Sequence, residues 1–290
     1  MLGIGYRRVP ILAIGNDVYC DTSLISSVID RHFPENQGFP ALFPQRKDGG
    51  KADTGMIKAF CTFYVDRPLF NLASSSLPYK KFTAEFIEDR GKWFGAPVDI
   101  EVMTSRQPAI KSLLSSHMSL LEEQLADGRE WVFDTVAVGY GDISIYAVYG
   151  WVIRFRGMRE VLIEDKFPNS IAWMGRMADL VKAKREANAP VINKIQGDAA
   201  AKIIASAGLQ STEIGFDEEE AGRLGLQHGL LVSVAPDDNA TNYPTIGKLT
   251  GLNREEFILE VSGTAVSSLR CHFPRFNFSA RVVREANSKL

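Results

Sequence analysis

The residues best placed for chemistry lie near the start of the chain, in Tyr6-Arg7-Arg8-Val9-Pro10 and in Cys20-Asp21-Thr22. A proline opening a short apolar run gives up a ladder donor, so it marks a sheet edge or a special peptide bond. Asp21 or Thr22 stands where a helix begins and can cap it. Both features also have plain structural readings. Asp21 is a good cap with no ligand at all, and paired arginines before a strand are commonly solvated. Other chemistries have less behind them. His32 and His117 fall on expected helices and His228 and His272 in the last third, with no HxxxH or HxH pair, so a metal site lacks local support. Cys271 and His272 are neighbours in an expected strand and point to opposite faces. Asp237-Asp238-Asn239 has the composition of a turn before that of a cation site, and Asp217 to Glu220 reads as the acidic first turn of a helix. Gly3-x-Gly5 has no strand before it and is too short for a dinucleotide loop.

The elements that must position these residues follow from patterning. Val9 to Ile14 is an apolar run, Gly15-Asn16-Asp17 a turn, Val18-Tyr19-Cys20 a second strand, and Ser23 to His32 a helix. The polar stretch Glu35 to Lys51 reads as a linker. Met56, Ala59, Phe60, Phe63 and Tyr64 recur at helical spacing, with an end expected near Pro68. Phe82, Phe86 and Ile87 predict a short helix before Gly91, and Pro108 opens a longer one that carries Ile110, Leu113, Leu114, Met118, Leu121 and Leu125 and ends before Gly128. The segment Gly139 to Ile153 is apolar all round, as for a helix at the centre of a bundle. A short helix is expected from Gly197 to Ile204. From Leu226 the pattern changes to period two, predicting strands at Leu230–Val234, Thr245–Thr250, Phe257–Val261, Leu269–Phe273 and Phe278–Val283.

The opening strand-turn-strand-helix resembles the second half of the thioredoxin-like domain of glutathione S-transferases. The resemblance continues in Asp142, which matches the acid of the capping box that opens the family's central helix, although Gly139 stands at the cap position. It continues again in Phe167-Pro168-Asn169-Ser170-Ile171-Ala172-Trp173-Met174-Gly175-Arg176-Met177, which is similar to a late helix of the family. Pro236-Asp237-Asp238, Gly247 to Leu252 and His272-Phe273-Pro274-Arg275 resemble a C-terminal extension found in fungal glutathione S-transferase-like proteins, several of them from secondary-metabolite gene clusters. The fold class implied is α/β plus all-α plus small β: a partial thioredoxin-like domain over 1–35, a helical bundle over 52–187, and a C-terminal helix with an antiparallel β extension over 188–290. The resemblance implies glutathione as cofactor, with a cis bond before Pro10. Val9 would pair its main chain with the cysteinyl residue of glutathione, Asp21 and Thr22 would hold the γ-glutamyl end, and Arg7 or Arg8 the glycine carboxylate. Phe60, Phe63 and Tyr64 would line a pocket for a small hydrophobic substrate, although an aromatic stripe at this spacing is equally core packing. The family's thiol-activating residue lies in a strand-helix-strand unit for which Met1 to Tyr6 is too short, so no catalytic residue is named.

Composition sets the outer limits. The chain has 290 residues, 45% of them hydrophobic, with formal net charge −2 and a pI of about 6.1; no basic field invites nucleic acid. The three cysteines, Cys20, Cys61 and Cys271, show no CxxC and are expected to be reduced and buried. No apolar run suits a bilayer span and no signal peptide is evident, so a cytoplasmic protein is expected, and the resemblance adds a homodimer. Three functions remain: trans–cis isomerisation of a conjugated polyketide olefin by reversible glutathione addition, a conjugating transferase, or a non-catalytic binding or scaffold protein.

Overall fold

Pro10 leads into β1 (Ile11–Ile14), a turn with Gly15 at positive φ, β2 (Asp17–Cys20) and α1 (Thr22–His32), as expected from the punctuation of the sequence. The computed structural model describes residues 1–163, 165–209 and 214–283. They divide into one unit drawn from within residues 1–28, 88–97 and 193–283 and another from within 29–87 and 98–192. The architecture combines a strand-turn-strand-helix segment, a helical bundle and a C-terminal, mostly antiparallel β region. Among the described residues no helix is long and apolar enough to cross a membrane.

The first unit departs from the expected division into 1–35, 52–187 and 188–290. Its C-terminal strands are β3 (Leu231–Pro236), β4 (Thr245–Leu252), β5 (Glu256–Val261), β6 (Leu269–Pro274) and β7 (Phe278–Val282), close to the five expected; residues 284–290 of the 188–290 segment lie outside the described part. These strands are no separate domain. They share a seven-stranded sheet with the N-terminal hairpin, in the order β1-β2-β6-β5-β4-β3-β7. The link is a parallel pairing of β2 with β6, Val18 opposite Cys271 and Tyr19 opposite His272.

Alternation explains this join. Val18, Cys20, Phe257, Leu259, Leu269, Cys271 and Phe273 point into one apolar cluster, with Cys20 and Cys271 at 3.8 Å between sulfurs. The residues between them put polar groups on the opposite face. There the fully buried Asp17 accepts from Arg270 Nε at 2.7 Å and faces His272 Nε2 at 3.1 Å, while His272 Nδ1 meets Glu256 at 2.7 Å. The separation expected for Cys271 and His272 is therefore used: each serves a different face. Tyr6 packs edge-on to Phe273, and Gly5 N–H donates to Thr245 Oγ1 at 2.9 Å, so the segment before Pro10 is tied to the C-terminal strands as well. α9 (Gly197–Ser206) and α10 (Glu218–Leu224) belong to this unit as well, α10 capped by Asp217 accepting from Glu220 N–H.

The second unit packs α6 (Gln107–Leu125), α7 (Tyr140–Val152) and α8 (Pro168–Asn188) around Leu114, Met118, Tyr149, Trp173 and Met177. The buried Asp142 carboxylate accepts from Val132 N–H at 2.9 Å, Trp173 Nε1–H at 2.9 Å and Gly139 N–H at 3.4 Å. α7 thus starts where the sequence placed it, with Gly139 as cap. α2 (Thr54–Ala59) does not end at Pro68. It passes into a π-helix (Phe60–Leu69) and then α3 (Phe70–Ser75). Each π turn takes between four and five residues instead of 3.6, which reorganises the hydrogen bonds around the missing proline N–H and lets the helix run on. α4 (Ala84–Phe94), likewise longer than expected, runs through Gly91, and α5 (Ile100–Ser105) follows.

The buried Asp17 gives the first prediction. Asp17→Ala leaves Arg270 and His272 without their shared acceptor, and removing one partner of a buried charge cluster costs about 3–5 kcal/mol. Urea unfolding followed by tryptophan fluorescence reads this as a lower midpoint at unchanged slope; a loss below about 1 kcal/mol contradicts it.

Candidate functional site

Residues Tyr6 to Thr22 assemble as one locus in the first unit. The Val9–Pro10 peptide is cis, as the resemblance implied. Val9 is 90% exposed and precedes β1, the terminal strand in the described sheet order. At the other end of the hairpin, Asp21 has φ +77°, a left-handed conformation that Asp tolerates better than most residues and that is a pointer to function when it occurs at a site. Its Oδ1 accepts from Ser23 N–H at 3.0 Å and Ser23 Oγ at 2.6 Å, and its Oδ2 accepts from the Tyr6 hydroxyl at 3.3 Å. Asp21 is therefore the cap of α1, and Thr22 is exposed at its first residue.

The arginines are engaged. Arg7 donates to Asp89 at 2.7 Å and lies over the Tyr243 ring; Arg8 pairs with Asp238, donates to the Asn239 carbonyl at 2.9 Å and lies over Trp93. Hydrogen bonds from Arg7 and then Arg90 hold the Asp89 carboxyl down at about 2, so the Arg7 pair is intact at neutral pH. The Asp237–Asn239 turn is what anchors Arg8, a role its composition alone did not reveal. Burial, then the Asp21 charge, pushes the Tyr6 phenol far up, and burial does the same to the Cys20 thiol. Both stay neutral, and the Tyr6 hydroxyl is committed to Asp21.

A second locus lies within the helical unit. A cavity of about 510 Å³ is lined by Phe60, Tyr64, Leu69, His117, Leu121 and Tyr149, among others. The π-helix explains the first three: with four to five residues per turn, positions 60, 64 and 69 stack on one wall. Phe63, expected beside Phe60 and Tyr64, is instead 48% exposed and absent from the lining, because the same geometry turns it away. Phe60 stacks on Tyr64 with ring centres 5.0 Å apart, and the Tyr64 hydroxyl lies 2.8 Å from His117 Nδ1. Tyr149 is 2% exposed. Its hydroxyl has no hydrogen-bond partner among the described residues. Sequence spacing hid this group, since His117 and Tyr149 sit on different helices and only packing brings them to Tyr64.

Comparison with known proteins agrees with the architecture. A family described as a domain of unknown function (DUF7962) matches residues 70–186. No curated protein matches the chain. The crystal structure of a GST-like protein from Pseudomonas syringae superposes with a TM-score of 0.65 at 23% identity, over 96% of this chain and 83% of that one. The fold is therefore GST-like.

Burial lowers the His117 pKa from its ordinary 6.5. Below pH 6.5 the unfolded chain takes up a proton that the folded one resists, so this contribution to stability is complete above pH 6.5 and falls away as pH drops toward the lowered folded value. His117→Gln is expected to make the decline in urea midpoint between pH 7 and pH 5 shallower than in the wild type. Parallel declines contradict a half-buried, neutral His117.

Proposed function

We propose that the chain is a glutathione-dependent enzyme acting on a small hydrophobic substrate, with trans–cis isomerisation of a conjugated, polyketide-like olefin as the reaction and a homodimer formed through the helical unit as the working state. The observation that carries glutathione binding is the exposed Val9, next to the terminal strand of the described sheet order, in one locus with the α1 tip. An extended peptide pairs with such an edge through its own main chain. The α1 N-terminus, with Thr22 exposed on it, suits a carboxylate, and the Asp21 carboxylate suits an ammonium. The glycine carboxylate requires Arg7 or Arg8 to exchange an existing acid partner, which is consistent with guanidinium serving two planar acids in turn. Bound, glutathione supplies a nucleophilic thiol whose reversible addition to an electron-poor double bond frees that bond to rotate. The helical-unit cavity, with Phe60 and Tyr64 on its wall, suits a small hydrophobic molecule of this kind.

A second reading, glutathione binding without turnover, is favoured by Tyr6 and Cys20. Both are held neutral, and neither is free to lower the pKa of a thiol from about 8.5. A conjugating transferase differs from the isomerase only in releasing the adduct.

Calorimetric titration of glutathione tests the common claim. Saturable binding is expected, and Asp21→Asn, which keeps the cap and tolerates the left-handed conformation but removes the charge, should weaken it about tenfold through loss of a charge-assisted bond. No heat of binding in the wild type overturns it. With a conjugated polyene ketone as substrate, isomer formation at constant glutathione supports the isomerase; equimolar glutathione loss assigns a transferase, and no conversion assigns the binding protein.

A further inference from the structure

We propose that the helical-unit cavity selects an uncharged, largely apolar molecule carrying one acceptor oxygen, and that Tyr149 together with the Tyr64–His117 pair reads that oxygen. This rests on assigning that cavity to the second substrate, and it specifies the chemistry of the molecule. The cavity, about 510 Å³, lies in the size range of small-molecule pockets, which are mostly apolar with a few convergent polar groups.

The polar groups of this lining are unusual for plain core packing. Tyr149 is 2% exposed, its ring packs in the main apolar cluster, and its hydroxyl has no partner among the described residues. Phenylalanine would fill the same space without leaving a buried donor unsatisfied, so the hydroxyl costs stability unless something else uses it. In the same lining, Tyr64 and His117 satisfy each other at 2.8 Å. If His117 donates from Nδ1, the Tyr64 hydroxyl proton is unspent; if Tyr64 donates, the proton on His117 Nε2 is. Either tautomer leaves the pair with a donor to offer. Tyr64 is near enough to Tyr149 that ionising one would raise the other.

The site is also built to be neutral. Burial pushes both tyrosines up and His117 down, so all three are uncharged at neutral pH. Among the described residues the lining contains no lysine or arginine, and its one carboxylate, Glu123, is exposed. A carboxylate ligand would lose its hydration there and find no cation in exchange, whereas a ketone, ester or ether oxygen needs only a donor.

Three probes of one shape test this without glutathione present: 2-acetylnaphthalene, 2-ethylnaphthalene and 2-naphthoate, each titrated by calorimetry. The ketone is expected to bind about fivefold more tightly than the hydrocarbon and at least about tenfold more tightly than the anion. Tyr149→Phe should abolish the preference of ketone over hydrocarbon, leave hydrocarbon affinity unchanged, and leave the unfolding midpoint equal or higher. Should that variant fail to fold, Tyr64→Phe is expected to reduce the same preference. Equal affinity for ketone and hydrocarbon, tighter binding of the naphthoate, absence of binding by all three, or a preference that survives both substitutions overturns the proposal. Glutathione calorimetry is a separate measurement, so ketone selection with no glutathione binding would leave this inference standing and remove the thiol chemistry.

Discussion

Asp17 is the constraint on which the first unit depends. A fully buried carboxylate is tolerable only where cations and donors meet it, and here Arg270 and His272 of β6 do so. The consequence is the parallel join of β2 to β6, which makes the N-terminal hairpin and the C-terminal strands a single sheet. His272 carries the chain of contacts one strand further, to Glu256 of β5. Because the hairpin is fixed in this way, the residues at its two ends, Val9 and Asp21, are held by positions more than two hundred residues away in sequence. The C-terminal extension is thus part of the framework of the proposed glutathione site.

Much of this was legible from local pattern. Period-two alternation gave the five C-terminal strands within a residue or two, and the punctuation Gly15-Asn16-Asp17 and Asp21-Thr22 gave the hairpin and the helix start. Local pattern does not carry partnership. Nothing in the run Asp17-Val18-Tyr19-Cys20 says that its polar face seeks Arg270, so the expected separate β extension merged into one sheet. For the same reason Arg7 and Arg8 looked solvated or available to a ligand, while the fold supplies each with an acid, Asp89 and Asp238.

The π-helix is the instructive departure. Phe60, Phe63 and Tyr64 obey α-helical spacing, and Pro68 signals an end by the usual rules. A wider turn absorbs the proline, carries the helix on and selects a different set of residues for the cavity wall: Phe60, Tyr64 and Leu69, with Phe63 turned out. Sites often lie at such irregularities, because the change of period moves side chains that a regular helix would keep in register. The polar members His117 and Tyr149 come from separate helices, and no one-dimensional signal joins them.

The most direct test of the account is a crystal structure of the protein soaked with glutathione. The tripeptide should lie extended along Val9, main chain to main chain, with its α-carboxylate at Thr22 on the tip of α1 and its ammonium at Asp21. Glutathione bound away from this hairpin, or Asp21 still fully occupied by Ser23 and Tyr6 with no tripeptide at α1 under saturating conditions, would contradict it.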